Sequence, residues 1–346
     1  MARTFGDWVC PACGGDLDRE DPGTLSCVGC RRSYPVEAAI ADLRLLPDPY
    51  IDFAADRQKG SRLLQQTADG SLDSTIAAYY AMTPGVRPEM AARYTARALA
   101  EPEIGRQWLA EISRRHAPNA EGPPHLLQVG CRTGGFLEVA TRSGYHAAGI
   151  DIAFRWLVVA GRRLESAGAD AEIACADPEH IPLPDAAVDV VVAADVLQHL
   201  SSPDAAIREF HRILRPGGFL YITTPNRFSL GPEPHTWIWG LGFLPRRFAV
   251  ALARSKRGVA YEHIRPLSLG ALRRLLADGW RRVEIWPGPI PSASTAHLRP
   301  AERRLASIYE RLRAVPLARS MLRRFGPLLH AGAERADEPT RSSPGP

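Results

Sequence analysis

Lysine is almost absent from this chain of 346 residues, and long hydrophobic runs are missing altogether. Only Lys59 and Lys256 are lysines, so the net charge of +5 comes mainly from arginines scattered along the chain. Scattered arginine is more typical of a solvated or ion-paired surface than of a nucleic-acid footprint. No apolar run reaches the roughly 18 residues of a membrane span. The N-terminus also lacks the basic region followed by an apolar region that is typical of a secretory signal peptide. These absences predict a cytoplasmic protein without a transmembrane segment.

Six cysteines are present, and four of them form two pairs. Cys10 and Cys13 make one CxxC motif, and Cys27 and Cys30 make a second. Two such pairs supply the four thiolates of a tetrahedral Zn²⁺ site, which we favour over disulfides or a chance pattern. Because four cysteine ligands leave no position for water, we expect this zinc to be structural.

The stretch from Leu126 to Asp151 combines an apolar run, a glycine-rich turn, an amphipathic segment and a second apolar run that ends in an acid. Gly130 and Gly134 lie in the turn, and Asp151 follows about 20 residues later. A strand–turn–helix–strand unit of this kind places an adenosine-type ligand over the turn, where the acid binds the ribose hydroxyls. The glycines alone are a weak signal, since any helix start can need them.

The rest of this region alternates strands and helices. Apolar runs predict five strands at 126–129, 147–150, 172–175, 188–193 and 219–224. Helical patterns at 156–167 and 203–214 lie between them, with Ser201 or Ser202 as the N-cap of the second. This rhythm predicts an α/β fold with a doubly wound, mostly parallel sheet whose ligands bind at the carboxyl ends of the strands.

Residues 126–226 resemble a class I S-adenosylmethionine-dependent methyltransferase of the small-molecule type. The resemblance rests on VGCRTGG, AGID, CADPEHIPLPDAAVDVVVAADVLQHL and RILRPGGFLYITTPN, which occur in the family's order. It implies a Rossmann-like sheet of seven strands, with the last two at 282–286 and 327–333. Residues 1–48 resemble the zinc ribbon of tRNA-methyltransferase activators, a module also fused in front of bacterial methyltransferases.

The resemblance implies that S-adenosyl-L-methionine is the cofactor. Asp151 would accept from the ribose hydroxyls, Asp177 from the adenine amino group, and Asp195 would face the methionine end. The full set of implied cofactor-binding residues is Gln128, Gly130, Arg132, Gly134, Asp151, Ile152, Ala176, Asp177 and Asp195.

Two of these residues depart from the family pattern. Gln128 stands where the family has an acid, and Arg132 where it has a glycine. If Arg132 needs a positive φ, a side chain there costs on the order of 1–2 kcal/mol. Its cation would pair with the cofactor's carboxylate or with Asp195, and would repel the sulfonium. These departures leave two readings, of which we favour a tuned enzyme over a cofactor-binding protein that has lost its chemistry.

Three histidines near the strand ends are candidate general bases. Methyl transfer needs alignment of donor and acceptor, exclusion of water, and removal of a proton from a hydroxyl or amine acceptor. The candidates are His199, His235 and His263. A lone histidine is more often structural than catalytic, so each is a hypothesis.

The pattern along the chain predicts a zinc ribbon at 1–48, a linker or lid of two or three helices at 49–118, and a methyltransferase domain at 119–333. Within that domain, 227–300 is expected to be a substrate-specificity insertion, and 334–346 a disordered tail. Residues 299–325 read as a basic, amphipathic helix pair interrupted at Pro316. This pair covers the sheet or contacts a membrane or a partner.

The leading functional hypothesis is methyl transfer to a small-molecule acceptor at O, N or C, in secondary-metabolite, quinone or glycoconjugate synthesis. An alternative is a ribosomal or transfer RNA base methyltransferase, although the ribbon has few cations and aromatics. A third is a non-catalytic scaffold with a degenerate site. The sequence indicates neither the acceptor nor the oligomeric state.

Overall fold

The computed structural model describes residues 8–67, 71–118, 122–290 and 300–336. In this part of the chain eleven strands form a mixed sheet in the order β1-β2-β3-β4-β7-β6-β5-β8-β9-β11-β10. Helices lie on both faces of its parallel centre, so the two largest clusters of buried apolar side chains lie one on each side of the sheet.

The cysteine-rich segment forms the first four strands, which are antiparallel to one another: β1 (Leu17–Asp21), β2 (Thr24–Cys27), β3 (Ser33–Glu37) and β4 (Ile40–Asp42). Strand β4 pairs in parallel with β7, with Ala41 opposite Ala174 and Asp42 opposite Cys175. The ribbon therefore extends the central sheet at its edge and is not a separately attached module.

Four helices follow, where the periodicity had predicted two or three: α1 (Phe53–Gln66), α2 (Leu72–Ala81), α3 (Pro88–Leu99) and α4 (Glu101–Arg115). Asp52 and Ser71 cap the first two by accepting from backbone amides. The turn predicted at Pro84-Gly85 separates α2 from α3. The break at Ala100 was missed because its signal is only Pro102 in the first turn of α4. Gly70, the other predicted interruption, lies outside the described residues.

The centre of the fold alternates as predicted, in the order β5 (His125–Val129), α5 (Gly135–Arg142), β6 (His146–Asp151), α6 (Phe154–Ala167), β7 (Glu172–Cys175), β8 (Val188–Ala194), α7 (Pro203–Ile213) and β9 (Leu214–Pro225). Strand β5 lies between β6 and β8, and all three are parallel. The chain direction of the crossovers reverses there, so a crevice opens beyond the carboxyl ends of β5 and β8.

Helix α7 begins where the sequence predicts, but strand β9 begins earlier than predicted. Ser202 caps α7 by accepting from the amide of Ala205 at 3.3 Å, as expected. Strand β9 begins at Leu214, directly after the helix and five residues before the predicted start at 219. A Cβ at Gly218 would lie 3.0 Å from the carbonyl oxygen of Asp189 on β8, so glycine allows the two strands to approach closely here.

The last two strands are β10 (Trp280–Pro287) and β11 (Leu328–Arg335), each longer than predicted. Strand β11 inserts antiparallel between β9 and β10, which completes seven methyltransferase-type strands beside the four of the ribbon. Glu334 and Arg335 belong to β11 and not to the predicted tail, whose residues 337–346 lie outside the described part.

Within residues 226–290 and 300–327, which the structure describes, four helices accompany these strands: α8 (Arg246–Arg257), α9 (Leu269–Leu275), α10 (Pro300–Arg313) and α11 (Pro316–Phe325). The basic pair α10 and α11 breaks at Pro316 as predicted. Among the residues that the structure describes, no helix has both the length and the apolar character needed to cross a bilayer.

Candidate functional site

The four ribbon cysteines converge, with all their sulfurs within 4.8 Å of one another. The Sγ atoms of Cys10 and Cys30 are 3.6 Å apart, and those of Cys13 and Cys27 are 3.5 Å apart. A tetrahedral site with Zn–S bonds of about 2.3 Å requires sulfur separations of roughly 3.8 Å. At Gly15 an added Cβ would lie 3.2 Å from the Cys27 sulfur, so glycine leaves room for the ligands. The geometry fits a closed, four-thiolate metal centre.

The loop after β5 brings the chain tightly over the end of β6. Gly130 has φ +72°, and a Cβ there would lie 2.4 Å from Cγ2 of Val196. Gly134 has φ +74° and is the N-cap residue of α5. Arg132 has φ +50°, so the condition for strain at this departure from the family pattern is met.

Asp151 lies at the tip of β6 and is only 7% exposed. Its carboxylate fixes the glycine-rich loop, since Oδ2 accepts from the amide of Arg132 at 2.8 Å and Oδ1 from that of Ala153 at 2.9 Å. Burial raises the pKa of this carboxyl, against the two amides. Each oxygen keeps a second lone pair, and Asp151 and Ile152 both line the main cavity.

Gln128 lies beneath the loop and is 4% exposed. Its Oε1 has no hydrogen-bond partner among the described residues. Beside it a small cavity is also lined by Glu101 of α4, whose Oε2 binds the Thr133 hydroxyl. The buried, unpaired oxygen of Gln128 marks this spot as suited to an external donor.

Glu101 places a carboxylate at the small cavity beside Gln128. Nε of Arg132 lies 3.5 Å from Oε1 of Glu101, so the arginine pairs with Glu101. A pairing with Asp195, which was one of the two expectations, is not the one observed. Sequence reasoning missed Glu101 because it lies on a helix about 30 residues upstream and has no motif of its own.

Asp195 follows β8 with φ +57° and lines the same cavity. Its Oδ2 lies 2.5 Å from Nη2 of Arg97 on α3. Burial would raise the pKa of Asp195, but the charges of Arg97 and Arg132 outweigh it and lower the pKa. The carboxylate is therefore ionised and already paired with a cation from the helical segment.

Asp177 does not line the cavity, and neither does Ala176. Asp177 is 1% exposed, and its Oδ2 accepts from the amides of Leu45 and Leu46 at 3.1 and 3.3 Å. Residues 43–50, here called the strap, thus pass from the ribbon over the carboxyl end of β7. The predicted adenine contact of Asp177 remains a prediction, and it would require the strap to release this carboxylate.

The cavity has a volume of about 870 Å³ and extends from the glycine-rich loop to α10 and α11. At the loop end its walls include five predicted residues, Gly130, Arg132, Asp151, Ile152 and Asp195, and Tyr50 of the strap lies on one side. The predicted residues Gln128, Gly134, Ala176 and Asp177 do not line it. The rest of the lining is mainly aromatic and aliphatic, including Tyr79, Tyr80, Trp108, Trp156, Leu230, Trp237, Trp239, Ile290, Leu305, Tyr309, Leu312, Met321 and Phe325. Tyr79 also stacks on Trp156 at 4.1 Å, so it serves packing and lining together.

Two of the three candidate bases line this cavity, and the third lies next to them. The rings of His199 and His235 are 5.1 Å apart, and His199 Nδ1 lies 3.3 Å from the hydroxyl of Tyr50. His263 is absent from the lining and packs edge-on against Tyr50 at 5.4 Å. Burial, followed by the charge of His235, lowers the pKa of His199 to about 3, which keeps His199 neutral.

His235 is held by a carboxylate. Its Nδ1 lies 2.7 Å from Oε1 of Glu233, while Oε2 of Glu233 accepts from the amides of His235 and Thr236. Glu233 is 7% exposed and fully engaged. An imidazole that donates through Nδ1 to a carboxylate presents Nε2 as a proton acceptor.

A cluster of buried charged side chains connects the strap, α1 and α6. Asp56 of α1 is 0% exposed and accepts from Arg44 at 2.7 Å and from Arg155 at 2.6 Å. Arg44 also donates to the carbonyl of Ile152 at 2.8 Å. The positions of ribbon, strap and cleft wall are therefore coupled.

Known proteins resemble the central part of the chain. Residues 127–222 match the family described as a methyltransferase domain. A malonyl-[acyl-carrier protein] O-methyltransferase of Serratia marcescens is 32% identical over 112 residues, which are 32% of this chain and 42% of that protein. The chain thus spans less than half the length of this relative.

Two further similarities extend beyond that segment. A ubiquinone biosynthesis O-methyltransferase of Methylocella silvestris is 28% identical over 181 residues, covering 48% of this chain and 68% of that protein. The structure of phosphoethanolamine N-methyltransferase 2 of Haemonchus contortus aligns with a TM-score of 0.45 at 16% identity, covering 67% of this chain and 53% of that one. The match at residues 127–222 thus identifies a class I S-adenosylmethionine-dependent methyltransferase domain within the chain.

Proposed function

We propose that this protein transfers a methyl group from S-adenosyl-L-methionine to a small, largely apolar acceptor with a hydroxyl or amine nucleophile. The observation that carries the proposal is the continuity of one cavity from the glycine-rich loop and Asp151 to a carboxylate-held histidine and an aromatic wall. The cofactor would supply an activated methyl group on a sulfonium.

The residues of the loop end fit that cofactor. Asp151 offers free lone pairs to ribose hydroxyls, and Gly130 allows close backbone approach. The unpaired Oε1 of Gln128 and the carboxylate of Glu101 are acceptors for the ammonium group of the cofactor. The Arg97 guanidinium is a donor for the carboxylate group of the cofactor. Ile152 and Trp156 add apolar surface to the same wall.

We assign proton removal to His235. Its Nε2 is free to accept a proton, and Glu233 stabilises the imidazolium that results. His199, which burial keeps neutral, positions the acceptor together with Tyr50. His263 supports Tyr50 from behind.

The acceptor is bound by the outer cavity. We propose that residues 227–300 determine its identity, because Leu230, His235, Trp237 and Trp239 of this segment all line the wall. A wall of this composition suits a ring or chain without charge. It favours a lipophilic small molecule, such as a quinone precursor or a secondary metabolite, over an RNA base presented by a polyanion.

The four cysteines hold Zn²⁺ in a structural role under this proposal. The ribbon would anchor the strap, since β4 pairs with β7 and the strap amides bind Asp177. We place the protein in the cytoplasm.

The test is transfer of labelled methyl from S-adenosylmethionine to a panel of hydroxylated and aminated aromatic acceptors of graded hydrophobicity. We expect turnover to rise with acceptor hydrophobicity and to vanish in Asp151→Ala, while the exposed control Asp170→Ala keeps wild-type activity. Cofactor binding without transfer to any acceptor would favour the non-catalytic reading, and transfer to RNA alone would favour the base-methylating one.

A further inference from the structure

The helix pair α10 and α11 exposes apolar side chains that a water-facing surface does not need. On α11 Leu317, Met321 and Phe325 follow one another at a spacing of four and are 90%, 53% and 38% exposed. Leu305 and Ile308 of α10 are 52% and 45% exposed. Together with Leu230, which is 63% exposed, these residues are here called the rim.

The rim surrounds the open side of the cavity. Leu230, Leu305, Ile308, Met321 and Phe325 line the cavity and are exposed at the same time. The amide of Leu230 donates to the carbonyl of Phe325 at 3.0 Å, which fixes the specificity segment to α11. An apolar path therefore leads from solvent at the rim toward Asp195 and the glycine-rich loop.

Positive charge is concentrated beside this apolar surface. Residues 300–325 contain seven arginines and two glutamates, a net charge of +5 that equals that of the whole chain. Arg303, Arg304, Arg311 and Arg324 are exposed, and none of them forms an ion pair within the described residues. Their guanidinium groups remain available for external anions.

We propose that the rim docks on an anionic lipid bilayer. The apolar side chains of the rim would lie in the headgroup region, and the neighbouring arginines of α10 and α11 would bind lipid phosphates. Exposed aliphatic side chains next to unpaired cations are typical of helices that lie in a membrane interface. RNA would match the charge but not the aliphatic exposure. The acceptor path, which rests on the proposed function, would then open toward the lipid.

The direct test is sedimentation of the full-length protein with vesicles of phosphatidylglycerol and phosphatidylcholine, and with vesicles of phosphatidylcholine alone. We expect binding to the anionic vesicles that weakens with salt. Arg303→Glu with Arg304→Glu should lower the partition coefficient at least 30-fold, because each arginine near an anionic surface contributes about fivefold and both are lost. Leu317→Ser with Met321→Ser should also lower it at least tenfold.

The matched control is Arg273→Glu with Arg274→Glu, an exposed basic pair on α9 that is not part of the rim. This pair should change binding less than threefold, and circular dichroism should show all variants folded. Equal binding to neutral vesicles, no binding to either, or an equal loss in the control would overturn the proposal. So would RNA or an acidic carrier protein binding in place of lipid. Cofactor titration of the Arg303→Glu, Arg304→Glu variant should match wild type, which separates failure here from failure of the methyltransferase assignment.

Discussion

The substitution Asp56→Ala tests whether ribbon, strap and cleft depend on one buried carboxylate. Asp56 Oδ2 accepts from Nη1 of Arg44 at 2.7 Å and from the amide of Phe154 at 2.8 Å, and Oδ1 accepts from Nη1 of Arg155 at 2.6 Å. The side chain of Arg44 is 0% exposed and that of Arg155 is 11% exposed, so both cations would remain buried after the carboxylate is lost.

The size of the effect follows from what each arginine keeps. Removing one partner of a buried ion pair destabilises a protein by roughly 3–5 kcal/mol. Arg44 retains two bonds to Asp42, at 2.8 and 2.7 Å, and Arg155 retains Asp48 at 2.9 Å, so the lower end applies. Loss of the bond to the first turn of α6 adds about 1 kcal/mol. We expect the free energy of unfolding to fall by about 4 kcal/mol.

Urea unfolding followed by tryptophan fluorescence measures this loss. Asp52→Ala is the matched control, because Asp52 is exposed and only caps α1 through the amide of Ala55 at 2.9 Å, a contribution of about 1 kcal/mol. Because Arg44 also binds the carbonyl of Ile152, cofactor affinity should fall in Asp56→Ala and stay unchanged in the control. A loss in Asp56→Ala no larger than in Asp52→Ala would refute the coupling.

Four further predictions concern the cofactor, the base, the metal and pH. Gln128→Asp combined with Arg132→Gly should tighten S-adenosylmethionine binding at least tenfold in calorimetry, because it adds an acid and removes a cation and a strained φ of +50°; an unchanged affinity would contradict the cofactor site. Glu233→Gln should lower kcat at least 100-fold with little change in KM and shift the pH profile, since His235 loses its carboxylate; a change in KM alone would assign the pair to binding. Metal removal by a chelator should unfold the ribbon and weaken cofactor binding at least tenfold, as read by fluorescence titration, because the strap loses its anchor; full affinity in the metal-free protein would contradict this. Burial lowers the pKa of His330 to about 3, so between pH 6.5 and 3 the unfolded chain binds a proton that the folded one does not, and stability falls as the pH drops. The stability difference between pH 8 and pH 5 should shrink by about 2 kcal/mol in His330→Gln, and an unchanged difference would show that His330 titrates in the folded protein.

The strands and helices of the central fold could be predicted because the sequence patterns that specify them are local. The apolar run of β8 and the serine before α7 need no partner to be recognised, and both lie where the pattern predicts. The final strands were predicted from the family resemblance, and the structure lengthens each of them.

The missed features depend on contacts between distant segments. Glu101 reaches the glycine-rich loop only because α4 packs against α5, and no spacing in the sequence reports that. Asp177 was assigned to the cofactor because its motif is local, whereas the strap amides that occupy it come from more than 100 residues upstream. The pairing of β4 with β7 escaped notice because a three-residue strand has too few residues to show a period.

The measurement that bears most directly on the account is calorimetric titration of the purified, folded protein with S-adenosylmethionine. We predict saturable heat with one ligand per chain, lost in Asp151→Ala and kept in Asp170→Ala. No heat from a folded sample, or equal affinity in Asp151→Ala, would contradict the assignment of the crevice beyond the carboxyl ends of β5 and β8 to this cofactor.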